Sequence, residues 1–158
     1  MIKKSFLVLL ILSYACMAAA QHVEIIKWKR FEALLQRNND TLYVYHFWAS
    51  WCVPCVTEIP NFIGVAEQYR DRQVKVVLVS LDFIESYKQS LIPYLNKHAI
   101  KQNVLLLDEP DYNSWIDKIA STWEGDIPAT LFIKGPKKLF MAKSFTKEAL
   151  ASTIQTLL

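Results

Sequence analysis

Leu42-Tyr43-Val44-Tyr45-His46-Phe47-Trp48-Ala49-Ser50-Trp51-Cys52-Val53-Pro54-Cys55 is the stretch whose reading decides the fold. Its first seven residues are apolar on both faces apart from one histidine, the pattern of a central strand covered by helices on either side. Two cysteines follow at once, separated by two residues, and a helical pattern runs on from Cys52 to about residue 69. The thiols therefore sit at a strand-to-helix junction. A thiol at a helix N-terminus faces unpaired N–H groups and the positive end of the helix dipole, which favour thiolate over thiol. Spaced one helical turn apart, Cys52 and Cys55 can close and open a disulfide with little backbone movement. Pro54 falls in the first turn, where a missing N–H costs nothing, whereas Pro60 falls inside the helix and is expected to kink it.

Working outward, 23–28 reads as a short strand and 29–36 as a helix presenting Phe31, Leu34 and Leu35 on one face. Residues 74–81 form the next buried strand. Helical spacing of Tyr87, Leu91, Tyr94 and Leu95 predicts a helix over 85–98, then a strand over 104–107 and a helix over 112–122. Strands at 129–133 and 138–142 flank the hairpin signal Lys134-Gly135-Pro136-Lys137, and 146–158 closes the chain as a helix capped by Thr146 or Ser144. Strands and helices alternate and then give way to a hairpin. This order predicts an α/β domain with a mixed sheet, parallel in its first part, and helices on both faces.

The N-terminus carries Lys3 and Lys4, an apolar stretch from Phe6 to Leu12 and Ala18-Ala19-Ala20, the pattern of an export signal cleaved after Ala20. Residues 21–158 then form one domain. The apolar stretch is short for a bilayer span, so membrane contact is expected only if this segment is retained. Cleavage would also discard Cys16. The net charge of +3 comes from interspersed residues of both signs and suggests neither nucleic acid nor anionic lipid as a partner. A two-residue gap between cysteines closes almost no loop, so a purely structural bridge would gain little, and the spacing favours a redox role. A four-ligand zinc site is poorly supplied by two cysteines and the scattered His22, His46 and His98. No separate cysteine marks a peroxidase.

Phe47-Trp48-Ala49-Ser50-Trp51-Cys52-Val53-Pro54-Cys55, with Glu58 and Pro60 following and Ile127-Pro128-Ala129-Thr130 later, resembles the thioredoxin superfamily. Within it the chain is similar to the exported TlpA/ResA-type thiol-disulfide oxidoreductases, on the strength of the Cys-x-x-Cys-x-x-Glu-x-Pro pattern. The segment between Cys52 and Pro128 is longer than a minimal thioredoxin needs, which implies the helix-strand insertion that group carries. His46 departs from the pattern: it stands where thioredoxins have a buried aspartate and TlpA-like proteins often have asparagine.

The resemblance implies Cys52 as nucleophile and Cys55 as resolving thiol. Glu58 recurs at the same interval of three along the helix and is the candidate base for Cys55, against the alternative of a solvated helix glutamate. His46 is either a tuner of thiol titration or a neutral core residue. Ile127-Pro128 is expected to be cis, opposite the cysteines, with the Ile127 backbone available to an extended substrate. Trp51 and Trp123 are expected to supply apolar surface around the thiol. The implied activity is reduction or exchange of disulfides in partner proteins, in the bacterial periplasm, without a bound cofactor and with electrons from an upstream thiol protein. Two alternatives stand beside it: an oxidant or isomerase of folding proteins, and a copper metallochaperone using Cys52, Cys55 and a histidine.

Overall fold

The strand before the cysteines is buried along its whole length, and the rest of the fold is arranged to cover it. The computed structural model describes residues 23–158; the export signal, Cys16 and His22 lie outside the described residues. The elements are β1 (Val23–Ile26), α1 (Trp28–Leu35), β2 (Leu42–Trp48), α2 (Val53–Gln68), β3 (Val74–Ser80), α3 (Leu91–Lys97), β4 (Asn103–Leu107), α4 (Ile116–Ile119), β5 (Ala129–Lys134), β6 (Lys137–Met141) and α5 (Lys147–Leu157). They build a six-stranded sheet in the order β1-β4-β3-β2-β5-β6. β1, β4, β3 and β2 run parallel, while β5 and β6 join antiparallel. This is the predicted α/β architecture, with β2 central between β3 and β5.

Alternation along β2 separates two cores. Leu42, Val44 and Trp48 face α2, α3 and α5, and Tyr43, Tyr45 and Phe47 face α1 and α4. Apolar surface buried on both sides of one strand stabilises it at roughly 25 cal/mol per Å², which is why an uninterrupted apolar run reads so clearly as a central strand.

Three elements differ from the sequence expectations. The first strand ends at Ile26, and Trp28 begins α1, where its ring stacks on Trp115 at 5.9 Å. The helix expected over 85–98 is confined to Leu91–Lys97. Its earlier part is held in turns: the Ser86 and Gln89 N–H groups donate three residues back, to Phe83 O at 3.1 Å and Ser86 O at 2.9 Å, and Ser90 Oγ reaches Asp82 at 3.4 Å. Pro93 lies in the first turn of what remains, where proline is tolerated. The helix expected over 112–122 is only a 3₁₀ turn, Tyr112–Ser114, and the four residues of α4. Between them Trp115 leaves helical geometry at φ −136° to bury its ring, with Nε1 donating to Glu109 O at 3.2 Å. Tertiary burial outweighs local periodicity there.

α2 continues through Pro60 without a break in its span. A proline nitrogen cannot donate to the carbonyl four residues earlier, here Val56. The Tyr94 hydroxyl, from α3, donates to that Val56 oxygen at 3.4 Å, so the orphaned acceptor is satisfied from outside the helix.

Candidate active site

α2 begins where β2 ends, and its N-cap is Cys52 itself, with an extended backbone at φ −86° and ψ 101°. Pro54 sits in the first turn, as expected. Cys52 and Cys55 form a disulfide with S–S 2.06 Å and Cα–Cα 5.2 Å. The backbone N–H of Cys55 donates to Cys52 Sγ at 3.3 Å, so an unpaired helix-terminal amide is aimed at that sulfur. Exposure distinguishes the two: Cys52 keeps 6% and Cys55 none.

Ile127-Pro128 is a cis peptide immediately before β5. Antiparallel pairing of β5 with β2 carries it alongside the cysteines, and the Ile127 carbonyl oxygen lies 3.9 Å from Cys52 Sγ. Trp51 is 57% exposed and stacks on Phe83. Trp123, by contrast, is buried, with Nε1 donating to Asp126 O at 2.8 Å and its ring against Phe47. It belongs to the core and adds no surface around the sulfurs.

Glu58 lies one turn beyond Cys55 and is buried, not solvated. One carboxylate oxygen accepts the backbone N–H of Phe145, from the loop entering α5. Asn61, one turn further along α2, donates to the Phe145 carbonyl at 2.8 Å, so the peptide groups on both sides of Phe145 are held by α2. The second carboxylate oxygen of Glu58 has no hydrogen-bond partner and faces His46 Nε2, also unpartnered, across 3.6 Å. His46 Nδ1 lies 3.3 Å from Thr130 Oγ1, its register partner on β5, and the ring stacks on Phe62 at 3.9 Å.

Burial pushes the Glu58 carboxyl up to about 7, against the opposing effect of the Phe145 N–H. The same burial drives His46 down to about 3, with only a backbone hydrogen bond at Ala129 acting the other way. His46 is therefore neutral at neutral pH. The 3.6 Å approach is a contact between a neutral ring and a carboxyl group poised to gain or lose a proton, not a salt bridge.

The sequence did not disclose Asp82. It is buried just after β3 and fixes the loop before Cys52: its carboxylate accepts the Ser50 N–H at 3.0 Å, the Ser50 hydroxyl at 2.5 Å and the Ser80 hydroxyl at 2.8 Å. An aspartate between Leu81 and Phe83 carries no motif, and only the meeting of two loops makes it a positioning residue. Among the described residues no group of three or more His, Cys, Asp and Glu side chains is arranged to hold a metal ion. His98 lies against Tyr94, and His46 against Phe62 and Glu58.

A parallel-then-antiparallel sheet with a helix-capping CxxC disulfide beside a cis-proline defines a thioredoxin-fold protein. Residues 23–139 match the model of the AhpC/TSA family, and the chain belongs to that family. It is 30% identical over 69 residues to sporulation thiol-disulfide oxidoreductase A of Bacillus subtilis, covering 44% of this chain and 42% of that protein. It is 42% identical over 40 residues to thiol-disulfide oxidoreductase ResA of Oceanobacillus iheyensis, covering 25% and 21%. The matched region thus spans less than half the length of these curated relatives. In structure it is similar to a thioredoxin-family thiol:disulfide interchange protein from Chlorobium tepidum, with TM-score 0.61, 20% identity, and 79% and 83% of the two chains covered.

Proposed function

We propose that this chain is an exported thiol-disulfide oxidoreductase that reduces or exchanges disulfides in partner proteins through Cys52 and Cys55. The observation that carries the reading is a disulfide whose partly accessible sulfur receives the N–H of Cys55 at a helix start, with its fully buried partner one turn behind. The names of the matched relatives support the same chemistry. The Lys3-Lys4 and Ala18-Ala19-Ala20 pattern supports export, toward the periplasm, with residues 21–158 as the working domain.

In the reduced protein the Cys52 thiolate attacks one sulfur of a partner disulfide. A Cys52–partner bond forms and the partner's other sulfur leaves as a thiolate. Cys55 then loses its proton, attacks Cys52 Sγ and displaces the second partner thiolate. The partner gains two electrons, the Cys52–Cys55 bond is restored, and an upstream thiol protein reduces it again. Glu58 takes the Cys55 proton, with a carboxyl poised near the working pH. Burial sets that poise, and His46, its ring packed against Phe62, lines the dry site with Nε2 toward the free Glu58 oxygen. Trp51 and the Ile127-Pro128 peptide receive the partner segment, whose extended backbone pairs beside Cys52.

The test is mixed-disulfide trapping. Reduced Cys55→Ser protein accumulates a covalent adduct with a disulfide substrate, while Cys52→Ser protein forms none and loses exchange by at least about 1,000-fold. Equal trapping by both variants overturns the assignment of nucleophile and resolving thiol.

A further inference from the structure

The residue before the nucleophile, Trp51, stacks on Phe83 at 6.3 Å and 16°, and both rings face water, Phe83 at 58% exposure. Two large aromatic rings stacked in solvent beside a reactive sulfur are apolar surface available to a partner. Phe83 also lines a cleft of about 60 Å³, shared with Tyr112, Glu85, Asp108 and Glu109. The working domain, residues 21–158, is nearly neutral, +3 falling to +1 once Lys3 and Lys4 are removed, and no Lys, Arg or His lines this cleft. The cleft is locally negative. Lys27 pairs with Asp108 at 2.8 Å and its charge also acts on Glu109, whereas among the described residues Glu85 makes no ion pair and Glu109 none within contact distance.

We infer that this surface receives the stretch of a substrate protein that flanks its disulfide, and that this stretch is basic. An apolar side chain of the partner covers the Trp51–Phe83 stack, and a lysine or arginine reaches Glu85 and Glu109. The inference rests on the oxidoreductase reading and adds to it the substrate class. Complementary charge beside the reacting sulfur raises the encounter rate for basic segments and lowers it for acidic ones, an effect that salt screens over about 10 Å at 0.1 M.

The experiment reduces three peptides of equal length with the reduced full chain. Each peptide carries one intrachain disulfide, flanked by lysines, serines or glutamates, and second-order rate constants are read at low and high ionic strength. The lysine peptide is expected to react about tenfold faster than the glutamate peptide at low salt, with the gap closing at high salt. In the double variant Glu85→Gln, Glu109→Gln the ratio falls toward one, and Phe83→Ser slows all three. Equal rates at low salt, or a ratio that survives the double variant, overturn the inference while the oxidoreductase reading stands. Reduction of none of the three peptides sinks both. A dimer in sedimentation that Phe83→Ser dissolves assigns the surface to a second copy and likewise overturns it.

Discussion

The two faces of the sheet are built from the same strands but to opposite ends. Against α1 and α4 the core is a stack of rings: Trp28, Phe31, Tyr45, Phe47, Trp115 and Trp123 meet at 4.8 to 6.1 Å. Against α2 and α5 the core admits His46, Thr130 and Glu58 among its apolar residues, and His46 Nε2, Glu58 Oε1 and Trp48 Nε1 are left without partners, against Trp28 Nε1 alone among the described residues of the aromatic face. Burying such atoms costs stability, on the order of 1–3 kcal/mol each. The aromatic face compensates for the chemical face, and the strand that separates them, β2, ends at Trp48, one short loop before Cys52.

The largest expected effect on this contrast is on the aromatic side. Trp115→Ala removes a fully buried ring and should lower unfolding free energy by about 3–5 kcal/mol, read from a denaturant midpoint. Exchange per folded molecule should be retained, because the ring faces away from the sulfurs; loss of both would show that the two faces do not divide the labour. Glu58→Gln probes the chemical face. It should slow resolution of the mixed disulfide by about 100-fold at pH 7 and flatten the pH-rate profile, while a buried charge no longer has to be accommodated at alkaline pH. An unchanged profile returns Glu58 to a structural role.

pH sharpens the comparison further. Glu58, raised from 4.5 to about 7 on folding, contributes stability fully below pH 4.5 and loses it as pH rises to 7. His46, lowered from 6.5 to about 3, contributes stability fully above pH 6.5 and loses it as pH falls to 3. Between pH 4.5 and 6.5 the two slopes oppose one another. His46→Leu should unmask the glutamate, so that stability falls from pH 5 to pH 7 with a slope of up to about 1.4 kcal/mol per unit. A variant whose stability stays flat over that range would show that burial does not raise the carboxyl. The smallest effect is expected at α2 itself: Tyr94→Phe strips the Val56 carbonyl of its donor and should cost about 1 kcal/mol, measured by thermal or denaturant unfolding.

Strands β2, β3 and β4 and the hairpin were legible because buried strands require apolar runs, and because Gly135-Pro136 marks the turn between β5 and β6. The helices over 85–98 and 112–122 were overextended because periodicity cannot register that Ser90 bonds Asp82 or that Trp115 turns into the core. At the site, Cys52, Cys55 and Glu58 share one helix, so their spacing announces them. The partners that give them context come from elsewhere in the chain: Phe145 to Glu58, Thr130 to His46, Asp82 to Ser50. Such contacts between distant positions leave no local pattern.

The sequence alone determined that two sulfurs would sit at the start of a helix that follows a central strand, since short-range spacing and the apolar run dictate both. Only the tertiary structure decided that Glu58 and His46 meet in the dry interior, that Asp82 anchors the loop before Cys52, and that acidic residues gather beside Phe83. Burial, and the proton affinities it shifts, depend on which distant segments cover a side chain, and packing alone fixes that.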